Sequence, residues 1–131
     1  NYEEFYKKYN NYKVEFANLV FEQLAHEYMR VISKEDFIFT LGRYWDDNTS
    51  LDIVGKTKSG KIIGGSCKFT NTKIKKTELT ILKEKCKKLK IDVDTFVLFS
   101  KKGYTNELKG LKKTENLQLF GVKNFTTLIQ S

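Results

Sequence analysis

Residues 51–69 read LDIVGKTKSGKIIGGSCKF. The run from Leu51 to Thr57 is rich in β-formers and reads as a strand, and a second strand runs over residues 61–70. Between them, Lys58-Ser59-Gly60 has the composition of a tight turn, so the two strands form an antiparallel hairpin. Side chains alternate along a strand. Ser66 and Lys68 therefore share one face, and Cys67 points to the other. Gly64-Gly65, inside a strand, implies a bulge or a close approach of another backbone.

Working outward, residues 37–45 (FIFTLGRYW) form an earlier strand, closed by the turn residues Asp46-Asp47-Asn48-Thr49. Upstream, Tyr2, Phe5, Tyr6 and Tyr9 fall on one side of a short amphipathic helix that Asn10-Asn11 interrupts. A long helix follows over residues 14–32, striped by Ala17, Val20, Phe21, Leu24, Tyr28 and Val31. Downstream, Leu79, Leu82, Cys86 and Leu89 make the seam of a helix over residues 77–90. A buried strand over 93–100, a short helix over 106–113, a strand over 117–121 and a terminal helix over 124–130 complete the order. A crossover helix after three antiparallel strands brings the next strand in beside the sheet. The expectation is one α/β domain over residues 1–131, with a central mixed sheet flanked by helices.

Composition narrows the function. The 131 residues suffice for one core and are too few for two. No apolar run reaches the ~20 residues of a membrane span, and no signal peptide is visible. Cys67 and Cys86 match no zinc spacing and read as reduced thiols of a cytoplasmic protein. The chain begins without Met, which points to a fragment of a longer parent. The net charge of +8 is unevenly spread: residues 56–90 hold twelve lysines and two glutamates, a local charge of +10. Such a block attracts phosphate backbones. Its candidate contacts are Lys58, Lys61, Lys73, Lys75 and Lys76. The absence of arginine there argues against bidentate base readout.

Phe21-Glu22, Gly42-Arg43-Tyr44-Trp45, Asp52-Ile53-Val54 and Gly65-Ser66-Cys67-Lys68-Phe69 stand in a fixed order. That order resembles the PD-(D/E)XK nuclease superfamily, the fold of restriction endonucleases and Holliday junction resolvases. Within it, the likeness is closest to the nuclease-like domain at the C-terminus of archaeal-type ATPases, and it covers residues 14–104. The resemblance implies a restriction-endonuclease-like core, α-β-β-β-α-β, and an ATPase domain in the same parent chain. It also implies a site built from Glu22, Asp52, the residue at 66 and Lys68, with Mg²⁺ held by Asp52 and the backbone carbonyl of Cys67.

Ser66 departs from the family pattern, which has a carboxylate there. A hydroxyl supplies neither the charge nor the bidentate reach of an acid, so Mg²⁺ binding is expected to be weak or absent. A migrated acid is the way out; Asp46 and Asp47 are nearest in sequence, and Glu27 rivals Glu22. His26, the single histidine, reads as structural. Tyr44 and Trp45 are expected to pack at the sheet's edge, with base stacking as the alternative. The reading is a degenerate nuclease-fold domain that binds DNA or acts as an interaction module. Two alternatives stand beside it. One is an active Mg²⁺- or Mn²⁺-dependent nuclease with a rearranged acid. The other is a protein–protein module that docks through the Tyr2-to-Tyr9 helix. Oligomeric state is not legible.

Overall fold

A computed structural model describes residues 1–46 and 48–129, without the side chain of Phe39. Its elements are helix α1 (Tyr2–Ile32), strands β1 (Ile38–Trp45), β2 (Ser50–Thr57) and β3 (Ile62–Lys68), helix α2 (Lys76–Lys88), strand β4 (Thr95–Ser100), the short helix α3 (Asn106–Lys109) and strand β5 (Leu117–Gly121). A 3₁₀ segment, Val122–Leu128, follows where the sequence predicts a terminal helix over 124–130, and Gln130 lies outside the described residues. The sheet has the order β1-β2-β3-β4-β5. The first three strands are antiparallel, while β4 and β5 join in parallel. The α2 crossover does what its position in the sequence requires.

Asn10-Asn11 does not interrupt the first helix, which runs through as 31 residues. Asn costs well under ~1 kcal/mol relative to Ala in a helix. Nucleating two separate helices costs more. The Asn1 side chain caps the N-terminus by accepting from the Glu3 amide at 2.9 Å, with Glu3 and Glu4 in the first turn.

The sheet carries a core on each face. Under α2 lie Leu51, Leu79, Leu82, Cys86 and Leu98. Under α1 lie Phe21, Ala25, Ile53, Val97, Phe99 and Phe125. Phe99 stacks on Phe125 at 5.9 Å, and Tyr28 meets Phe120 edge-on at 5.1 Å.

Two departures from regularity shape the sheet's functional end. Gly42 pairs with Val54, but Tyr44 pairs with Leu51, so β2 carries one extra residue opposite Arg43. Leu51 and Val54 consequently both join the α2 core while Ile53 joins the α1 core, and the bulge re-aims Asp52. The glycine pair meets the close-approach expectation instead: the β2–β3 pairing through Gly64 and Gly65 is regular. A Cβ on Gly65 would lie 2.4 Å from Val97 Cγ2 and 2.7 Å from the Val97 carbonyl. On Gly64 it would lie 2.9 Å from a Val93 methyl. Side chains there would push β4 and α2 off β3. Gly65→Ala is expected to destabilise the protein by about 1–3 kcal/mol through overpacking. Gly42→Ala, whose Cβ meets nothing within 4 Å, should change stability far less. Denaturant unfolding of both variants checks the contrast.

Candidate functional site

Backbone pairing between β2 and β3 runs from Lys56↔Ile62 to Ile53↔Gly65. Beyond that point the Asp52 side chain takes over, its Oδ2 accepting from the Cys67 amide at 2.8 Å. The fork opens into a cleft of about 400 Å³. Glu22 and Asn18 of α1, Arg43 of β1, Asp52 of β2, Lys68 of β3 and Lys85 of α2 line it.

Arg43 stands between the two carboxylates. Its Nη1 lies 3.4 Å from Glu22 Oε2 and its Nη2 3.6 Å from Asp52 Oδ1. The Glu22 and Asp52 side chains are largely shielded, while the Arg43 side chain is 46% exposed. Burial raises the pKa of Glu22, and the nearby Asp52 charge raises it further; Arg43 and His26 pull it back. His26 Nε2 lies 2.8 Å from the Asp52 carbonyl oxygen. A carbonyl only accepts, so Nε2 carries the proton and His26 pins α1 to β2. Burial also pushes the Cys67 thiol far up, with Asp52 and Glu22 adding to it, which disfavours its thiolate.

Glu22, Asp52 and Lys68 thus meet in one cleft, with Lys68 3.5 Å from Glu78 Oε2 on α2. Ser66 is 6% exposed and does not line the cleft. Among the described residues the acids lining the cleft are Glu22 and Asp52, and neither Glu27 nor Asp46 joins them. Glu27 is exposed and 3.6 Å from Arg30. Asp46 accepts from the amides of Asn48 and Thr49 in its own turn. Asp47 lies outside the described residues.

The lysines divide. Lys73 and Lys75 line a second hollow that shares Lys68 and Thr70 with the cleft, and the exposed Lys76 follows them at the start of α2. Lys58 and Lys61 sit in the β2–β3 turn, at the far end of the hairpin from Asp52. Three cations at the cleft end escaped the sequence reading. Arg43 was visible inside its motif but carried no assigned role. Lys85 sits on α2, and Lys101, after β4, donates to Asn71 Oδ1 at 2.9 Å and lies 4.5 Å from the Phe69 ring centre. Only the folded arrangement brings these last two to the same end. Trp45 does not pack at the sheet's edge; it is 68% exposed, and Tyr44 45%.

Residues 1–97 match the model of the DUF234 family, described as Archaea bacterial proteins of unknown function. The chain belongs to this family. Two solved structures share its fold. One is a crystal structure of a protein of unknown function, AF1548, 15% identical, with a TM-score of 0.54, covering 77% of this chain and 57% of that one. The other is a repair endonuclease from Pyrococcus abyssi, 22% identical, with a TM-score of 0.50, covering 82% of this chain and 45% of that one. The chain spans about half the length of these structures. No curated protein matches it. The fold of this DUF234 member is the restriction-endonuclease-like α/β fold expected from its motif order.

That fold family implies Mg²⁺, and the residues present do not fit it. Mg²⁺ wants hard oxygen donors in near-octahedral geometry. Here a guanidinium is already paired with both carboxylates, and one Asp52 oxygen is held by the Cys67 amide. Among the described residues no three His, Cys, Asp or Glu side chains form a metal-binding group.

The Glu22 environment has a measurable consequence. The native state holds the Glu22 proton more tightly than the unfolded chain. Stability contributed by this group therefore rises as pH falls through the raised pKa, and is lost as pH rises through it. In a ¹³C NMR titration of the Glu22 carboxyl, Asp52→Asn should lower its pKa and Arg43→Ala should raise it.

Proposed function

We propose that this domain binds nucleic acid, DNA in the first instance, through the cation-lined end of its sheet, and that it does so without cleaving it. The observation that carries this reading is the Glu22–Arg43–Asp52 arrangement. Where a nuclease of this fold would hold a metal between carboxylates, this chain holds its own guanidinium. The nuclease fold shared with a repair endonuclease gives the reading its substrate class.

Backbone phosphates would be met by Lys68, Lys85, Lys73, Lys75 and Lys101, all at the cleft end. Each is a flexible point charge, suited to sequence-tolerant contact. The exposed Trp45 pairs with Ser50, which lines the cleft, so its ring is available for a base to stack on. Lys58 and Lys61, at the opposite end, are excluded from this contact. The motif order supports an ATPase-type parent chain, and the two unpaired thiols fit a cytoplasmic setting. No helix among the described residues is long and apolar enough to cross a membrane.

Binding should weaken steeply with salt as counterions are released. In fluorescence anisotropy with single-stranded and duplex DNA, Lys68→Gln, Lys73→Gln and Lys75→Gln should each flatten the log–log salt slope by about one. Lys58→Gln with Lys61→Gln should leave the slope unchanged. No affinity at low salt, or equal effects at both ends, would sink the proposal.

The metal half of the reading is tested separately. Wild-type protein should show no high-affinity Mn²⁺ binding by calorimetry. Arg43→Ala, which frees two carboxylates, should bind Mn²⁺ about tenfold more tightly or better, an effect worth roughly 1.4 kcal/mol. Equal affinity in both proteins would show that the guanidinium does not hold the site.

A further inference from the structure

Residues 2–20 of α1 bury almost nothing, yet they are the most aromatic part of the chain. Tyr2, Phe5, Tyr9, Tyr12, Phe16 and Leu19 are between 47% and 73% exposed. Their spacing is three, four, three, four, three, the interval of a coiled-coil seam. At about 100° per residue, this stripe lies roughly 150° around the helix from the side that Phe21, Ala25 and Tyr28 press into the core. It is therefore a second apolar face and not a continuation of the core stripe. An apolar stripe of this length marks a surface that something covers.

We propose that a second copy of this chain covers it, with the two α1 helices antiparallel. The seam is complementary to its own reverse about the midpoint between Asn10 and Asn11. In that register Tyr2 meets the partner's Leu19, Phe5 the partner's Phe16, and Tyr9 the partner's Tyr12, so every layer is apolar. The flanks also match. Lys8 comes opposite the partner's Glu15, and Lys13 opposite the partner's Tyr6, each pair occurring twice. Lys13 already lies 4.7 Å from the ring centre of Tyr9 within one chain.

Parallel pairing fails on both counts. It sets Lys8 against the partner's Lys13, and it brings two sheets to the same end of the rod. Antiparallel pairing overlaps only residues 2–19, about 27 Å of helix. Each sheet then lies outside the overlapped span, at opposite ends of the rod.

Sedimentation equilibrium on the 131-residue chain tests the pairing. The expected result is a reversible monomer–dimer equilibrium that Tyr9→Glu abolishes. Lys8→Glu alone, or Glu15→Lys alone, should weaken the dimer about tenfold, since two attractive pairs become repulsive. The double variant should restore it. A monomer at every concentration would overturn the proposal and assign the stripe to a different segment or protein. A dimer that ignores Tyr9→Glu, or that tightens with Lys8→Glu, would overturn the antiparallel arrangement. None of these outcomes depends on whether the cleft binds DNA.

Discussion

Where the pairing of β2 with β3 ends, one side chain holds the strands together. Asp52 Oδ2 accepts from the Cys67 amide at 2.8 Å. A charge-assisted bond of this kind is worth roughly 1.5–3 kcal/mol, more than a neutral one. It fixes the mouth of the fork from which the cleft opens. The same residue's carbonyl anchors His26 on α1, and its second carboxylate oxygen faces Arg43. Helix, edge strand and central hairpin are thus referenced to one residue.

This arrangement explains how two carboxylates can be held side by side at the end of the sheet. Burial raises the Glu22 pKa and the nearby Asp52 charge raises it further, and a cation between the two carboxylates offsets that repulsion. In this chain it is Arg43, placed there because the extra residue of β2 falls opposite it in β1. The bulge therefore does two jobs: it turns Asp52 toward α1, and it sets the guanidinium beside it. Ser66 is buried and outside the cleft.

Much of the fold was legible because its signals are local. The turn at Lys58-Ser59-Gly60, the apolar seam of Leu79, Leu82 and Cys86, and the β-rich run Thr95 to Phe99 each sit in one element. The glycine pair was legible as a close approach because only hydrogen fits against Val97. The misreadings also have local causes. Asn10-Asn11 reads as a break on propensity alone, but its modest cost is smaller than the cost of nucleating a second helix. The terminal segment has helical composition but closes as a 3₁₀ turn, with Asn124 accepting from the Gly121 amide.

The sequence by itself determined the order of elements along the sheet and the alternation of side chains along β3. These follow from strand alternation and from residue chemistry, which need no partners. Only the tertiary structure decided which residues meet. Register, the bulge in β2 and the α2 crossover gather Arg43, Lys85 and Lys101 at the cleft end, and they leave Lys58 and Lys61 at the other. A sequence lists charges along a line. The sheet folds that line so that neighbours in chain become opposite ends, and distant residues become an ion pair.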